Sequence, residues 1–159
     1  MVGNEGKTSK GTDWLGLLSF GFFLILFSTI WIITPNFTEE ITDFFTDFQL
    51  KDVTENIVLP APKSSHPVVY IAAMQFCFIF GVFQIVILAL RFVLHESLNR
   101  VGETLSGMVF WFGASFFLHM LANETITWFG FLAGIIVSVG LSITVSYTHL
   151  RAHETGRNL

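Results

Sequence analysis

Residues 14–34 read "WLGLLSFGFFLILFSTIWIIT", twenty-one positions without an Asp, Glu, Lys or Arg, closed by Pro35. Wound as an α-helix, the stretch is roughly 31 Å long, about the thickness of a bilayer's hydrocarbon. Trp14 and Trp31 would stand about 25 Å apart along it, near the spacing of the two interfaces where indole rings settle. Lys7 and Lys10 precede it in the manner of a signal peptide. The apolar run is too long for an h-region and no small-residue cleavage site follows, so an uncleaved anchor is expected.

Composition extends this reading to the whole chain. Of 159 residues, 52% are hydrophobic, 13% are charged and 19 are Phe, whereas a soluble domain carries about 25% charged residues. Three more apolar blocks follow, at 68–90 between Pro67 and Arg91, at 105–121, and at about 126–144. The last two are joined by "ANET", Ala122–Thr125, a connection short enough to force an antiparallel helical hairpin. The expected fold is an all-α, polytopic membrane protein. It has a tail over 1–13, a four-span domain over 14–144 and a long connection over 35–67.

Basic residues set the expected orientation. Lys7 and Lys10 precede the first span, and Arg91 and Arg100 separate the second from the third. The 35–67 connection has Lys51 and Lys63 diluted by Glu39, Glu40, Asp43, Asp47, Asp52 and Glu55. Both termini are therefore expected in the cytoplasm of a cell-membrane protein, with 35–67 outside. Within that connection Phe37, Ile41, Phe44, Phe45 and Phe48 recur on one helical face against an acidic one, which predicts an external amphipathic helix. Asn36 with Glu39 fits a capping signature. An acidic polar face suits docking on the bundle or on a partner better than attachment to anionic lipid. After Gln49, Pro60, Pro62 and Pro67 predict an extended linker.

The firmest pattern inside the spans is steric. Gly130, Gly134, Ser138 and Ser142 fall four apart in the last span, and Ala73, Cys77 and Gly81 repeat that spacing in the second, with Gln84 on the same face. Small residues at this period let helix backbones approach closely in lipid. The pattern leaves open whether these seams join spans of one chain or of two.

Chemistry-bearing residues are sparse. No Asp, Glu, Lys or Arg interrupts the four blocks, which counts against proton relays, voltage sensors and ion-coupled carriers. His119, with Asn123 and Glu124 near it, is the one candidate polar site, and a structural hydrogen-bonding role is favoured for it. Cys77 is the sole cysteine and suits an inert packing residue. The stretch "RFVLHESLNRVGE", Arg91–Glu103, reads as a solvated turn without nucleophile or paired carboxylates. Asn36 and Asn123 each open a glycosylation sequon.

In the final stretch, "VSYTHLRAHETGRNL" over 145–159, His149 and His153 stand four apart, but no third metal ligand is at hand. These residues resemble the translation of a transposase adapter used to fragment DNA for sequencing, and so are expected to be non-native. Without them six basic residues face eleven acidic ones. Over residues 13–144 the chain, in "DWLGLLSFGFF" and "ETLSGMVFWFGASFFL" above all, resembles small four-helix archaeal membrane proteins that carry no assigned activity. That resemblance implies a class and transfers no site residue.

Three functional classes stay open: a non-catalytic membrane subunit or scaffold, an oligomeric transporter or channel component, and a membrane enzyme using His119 and Glu124 or the Arg91–Glu103 turn. The first is favoured. Membrane lipid, and a second copy or a membrane protein partner, are the expected contacts; no cofactor, metal or nucleic acid is. In a Cys77-free background, single cysteines at Lys10 and Asn99 are expected to resist a membrane-impermeant thiol reagent in intact cells, while one at Lys51 labels. Labelling at Asn99 but not Lys51 would invert the topology.

Overall fold

Among the described residues, four helices are long and apolar enough to cross a membrane. They are α1 (Trp14–Ile33), α3 (Pro67–Val93), α4 (Leu98–Ala122) and α5 (Trp128–Gly156), the last with its apolar stretch over Trp128–Tyr147. Between α1 and α3 lie a short helix, α2 (Phe37–Thr46), and two strands, β1 (Phe48–Thr54) and β2 (Ile57–Pro62). This computed structural model describes residues 14–156, with side chains over 14–147. Lys7, Lys10, His149 and His153 lie outside the described side chains. Apolar residues cover the outside of the bundle, with Ile32 80% and Ile136 72% exposed, as lipid rather than water as solvent requires.

Two apolar clusters hold the helices together. One joins α1, α2 and α3 through Leu26, Ile30, Phe37, Ala72 and Phe80. It is largely aromatic: Phe22 stacks on Phe83 at 3.9 Å between centroids, Phe23 meets Phe76 edge-on at 5.0 Å, and Phe80 meets Trp111 of α4 at 5.0 Å. The second joins α3, α4 and α5 through Cys77, Ala114 and Leu118, with Phe131 and Ile135 against them.

The small residues of α5 face α4. Ser106 Oγ lies 2.7 Å from Ser142 Oγ and donates to the Ser142 carbonyl at 2.8 Å. One further stretch along, a Cβ on Gly113 would run into Ser138, and a Cβ on Gly134 would overlap the ring of Phe117. Ser138, 2% exposed, returns its hydroxyl to the Gly134 carbonyl. Gly130 is the exception, since a Cβ there meets only Ile126 and Thr127 of its own chain segment. On α3, Cys77 and Gly81 are buried toward α4, where the Phe112 ring lies over Gly81, and Ala73 packs beside them. Gln84 is half-buried.

Several expectations need correction. The fold is mostly helical, as expected, but the segment read as an extended linker is an antiparallel hairpin with Phe48 opposite Pro62 and Leu50 opposite Pro60. Its prolines are compatible with pairing for a geometric reason. Lys63 N donates to Asp47 O at 3.1 Å, so the odd-numbered residues of β2 turn their backbone groups toward β1. Pro60 and Pro62 then face outward, where no N–H is needed, and the Pro60 carbonyl accepts from Trp128 Nε1 at 3.2 Å.

Two of the helices run past their apolar blocks. α4 begins at Leu98, before the apolar block at 105, and α3 runs to Val93, past the block's end at 90, because hydropathy tracks the lipid while the helix continues into polar residues. Asn36 does not cap α2 with its side chain; it sits in the left-handed region at φ 53°, and only its carbonyl is used, by Glu40 N. Phe45 stands 69% exposed, away from the packed face of Phe37, Ile41 and Phe44.

The seam yields a paired test. Gly134→Ala is expected to destabilise the protein in mild detergent by about 1 to 3 kcal/mol, since the ring of Phe117 must move. Gly140→Ala, whose Cβ meets nothing within 4 Å, should be neutral or raise the melting temperature slightly. Equal losses at the two positions would mean that α5 does not approach α4 as described.

Candidate functional site

The ion pairs of the described residues lie at the two ends of the bundle. At the end where α1 and α4 finish and α3 and α5 begin, the centre is Asp47, which follows α2. Its Oδ2 accepts from Ser64 Oγ at 2.6 Å, from Ser64 N at 2.7 Å and from His66 Nε2 at 3.0 Å. An ionised carboxylate is acceptor-only, so the His66 Nε2 carries the hydrogen. His66 is buried and meets the ring of Phe44 edge-on at 5.4 Å. Its carbonyl receives Tyr70 N, the first turn of α3.

The Ser64 hydroxyl, then the Ser64 amide, then His66 stabilise the ionised form and hold the Asp47 carboxyl well below the usual carboxylate range. Asp, Ser and His here do not form a nucleophile. Both Ser64 and His66 give their hydrogens to the same oxygen, so no base faces the serine. The arrangement is a clamp that ties the end of α2 to the start of α3 and closes the hairpin between them. Trp128 adds a second tie through Pro60 and packs against Phe44 and Phe48.

The expected polar site divides. The Asn123 side-chain nitrogen donates to the His119 carbonyl at 2.9 Å and lies 3.3 Å from Nδ1 and 3.2 Å from Nε2 of the His119 ring. A donor equidistant from both ring nitrogens sits over the ring face, which leaves the ring edge open. Glu124 instead occupies the tight turn before α5 in the left-handed region, at φ 55°, with Thr125 N bonded back to Met120 O at 2.9 Å. It lines a separate cavity of about 240 Å³ under the hairpin, together with Lys51, Lys63, Ser64 and Tyr70. No hydrogen bond or ion pair joins it to His119 among the described residues.

At the opposite end, the turn read as solvated is partly buried. Arg91 is 5% exposed and its Nη1 donates to Glu96 Oε2 at 2.8 Å, while Arg100 lies 3.6 Å from Glu96 Oε1. His95 holds the left-handed position, at φ 52°, and Glu96 N bonds to Arg91 O, so the ion pair fastens a tight helix-to-helix corner. Among the described residues no group of three or more His, Cys, Asp or Glu is placed to hold a metal ion.

The Asp47 clamp was absent from the sequence reading. Its signal was the hairpin: a turn at Glu55–Asn56 puts Phe48 opposite Pro62, and the next pair outward brings Asp47 beside Lys63 and hence Ser64. Comparison with protein-family models, with curated proteins and with solved structures finds no match.

Asp47→Asn is expected to speed amide hydrogen exchange at Ser64 and across both strands, because a neutral amide oxygen is a weaker acceptor for the three donors than the carboxylate oxygen they share. The pKa of Asp47 is lowered on folding, so its contribution is fully present above the unfolded carboxylate value of about 3.9. It is lost only as pH falls from there through the folded value. Hairpin protection factors should therefore hold between pH 7 and pH 5; a collapse within that interval would assign the hairpin's order to another group.

Proposed function

We propose that the protein is a multi-pass subunit of a cell membrane, a non-catalytic scaffold whose cap of α2 and the β-hairpin receives a partner on the external face. The observation that carries this reading is a rigid cap with apolar residues turned outward. Asp47, Ser64, His66 and Trp128 fix the hairpin to the bundle, yet Leu50 is 76% exposed and Phe45, Val53, Ile57 and Val58 are exposed with it. Fixing a small apolar surface in place lowers the ordering cost of docking. The two strands also leave outer edges where an extended segment can pair.

The placement of both termini in the cytoplasm and of α2 in the outer aqueous phase belongs to the same proposal and rests on the basic-residue asymmetry. The interior of the bundle supports a scaffold over a single-chain pathway, because Phe22, Phe23, Phe76, Phe80 and Trp111 fill the space between α1, α3 and α4. The likeness to small four-helix archaeal membrane proteins is kept as a proposal of class.

Cross-linking in native membranes from Lys51 and Lys63, followed by mass spectrometry, tests the reading. The expected result is a recurrent partner peptide whose cross-links fall several-fold in Leu50→Ser/Val58→Ser, with unchanged membrane insertion. Cross-links indifferent to that double variant, together with solute uptake by reconstituted vesicles that His119→Ala abolishes, would transfer the protein to the transporter class.

A further inference from the structure

A groove of about 670 Å³ opens on the side of the bundle between α3 and α4. We propose that it binds a quinone-class molecule: a flat ring carrying carbonyl oxygens on a long apolar tail. The inference concerns a different surface from the docking cap and stands apart from it.

Gln75 and His119 line this groove from α3 and α4 respectively, and both are exposed at the side of the bundle. Gln75, turned toward hydrocarbon without a partner, is costly there because no water is present to replace one; His119, nearer the boundary of that layer, already meets Asn123. The Asn123 amide covers the face of the His119 ring and leaves its edge open. No hydrogen bond engages the Gln75 carboxamide among the described residues. Ser115, the remaining polar side chain of the groove, donates to Met74 O at 3.2 Å and is satisfied.

Depth selects among lipids. α3 has 27 residues and is about 40 Å long, more than the roughly 30 Å of hydrocarbon. With the excess shared between its ends, Gln75, eight residues from Pro67, lies several Å inside the apolar layer. The ester carbonyls of a phospholipid stay at the boundary of that layer, level with His119 and short of Gln75. A lipid-soluble ring enters the layer itself.

Spacing and walls suit such a ring. The Ser115–Met74 bond sets the register of the two antiparallel helices and puts His119 about one turn, roughly 5.4 Å, outward of Gln75. The two oxygens of a para-dione are separated by a similar distance, so one can accept from the Gln75 amide and the other from a His119 N–H. The groove is walled by Phe78 and Phe112, edge-to-face at 6.0 Å, and by Phe116. Aromatic edges and faces of this kind pack against a flat conjugated ring, and the volume falls within the usual range for small-molecule sites.

The test uses the full chain in phosphatidylcholine nanodiscs with a photoreactive azido-quinone. Saturable labelling is expected on the α3 and α4 peptides that contain Gln75 and His119. An unlabelled quinone should compete, and a hydrocarbon of the same tail length should not. Gln75→Leu and His119→Leu should each weaken binding by about tenfold, while Gln84→Leu leaves it unchanged. Non-saturable labelling, or equal competition by the tail alone, would overturn the proposal with the unmodified protein and make the groove a bed for ordinary acyl chains. Undiminished labelling in both Leu variants would overturn it as well. So would a groove that becomes inaccessible as the protein dimerises on size exclusion, since a second copy would then be its occupant.

Discussion

The close approach of α5 to α4 is the constraint on which the rest of the bundle depends. Lipid gives apolar helices no reason to leave it, so association must come from contact at short range and from side-chain hydrogen bonds across backbones that small residues bring together. Gly113 against Ser138, Gly134 under Phe117, and Ser106 bonded to Ser142 supply both. Once α4 and α5 are locked, α4 offers Ala114 and Leu118 to Cys77 of α3, and α3 in turn offers its row of phenyl rings to α1. The order of attachment runs from a seam of small residues to a field of large ones, with α1 outermost and facing lipid along most of its surface.

Among the described residues the ion pairs lie at the ends, and there they shape loops rather than chemistry. The Asp47 carboxylate gathers three hydrogens onto one oxygen, so a chain leaving α2 must return to it before entering α3. That return is what makes the intervening residues a hairpin. At the opposite end Arg91 and Glu96 close a corner of a few residues. Tight turns at Asn36, His95 and Glu124 all use left-handed backbone without glycine. Such positions cost of order 1 kcal/mol each for residues other than Gly or Asn, and they persist where packing on both sides over-determines them.

Legibility in the sequence followed the range of the interaction. The spans were legible because twenty uncharged residues have one economical solution in a bilayer, and the four-residue period of Gly134, Ser138 and Ser142 was legible because it is a local pattern on one helix. The partner of that stripe was not, since Phe117, Gly113 and Ser106 carry no matching period that announces them. The hairpin was obscured by its prolines, whose outward orientation is decided by register and cannot be read from composition. The clamp depended on that register in turn. Glu124 looked like a companion of His119 from its position, but its left-handed backbone sends it to a different cavity.

The central claim is that the small-residue stripe of α5 is used within one chain. It is tested most directly by the double substitution Ser106→Cys/Ser142→Cys in a Cys77→Ala background. The two hydroxyls are 2.7 Å apart, which puts the thiols of cysteines in their place within reach of each other. Mild oxidation in the membrane should give a quantitative disulfide that runs as a monomer on a non-reducing gel, at every expression level. A disulfide-linked dimer, diluted away by co-expression of the unsubstituted chain, would show that the seam joins two copies and would contradict the account.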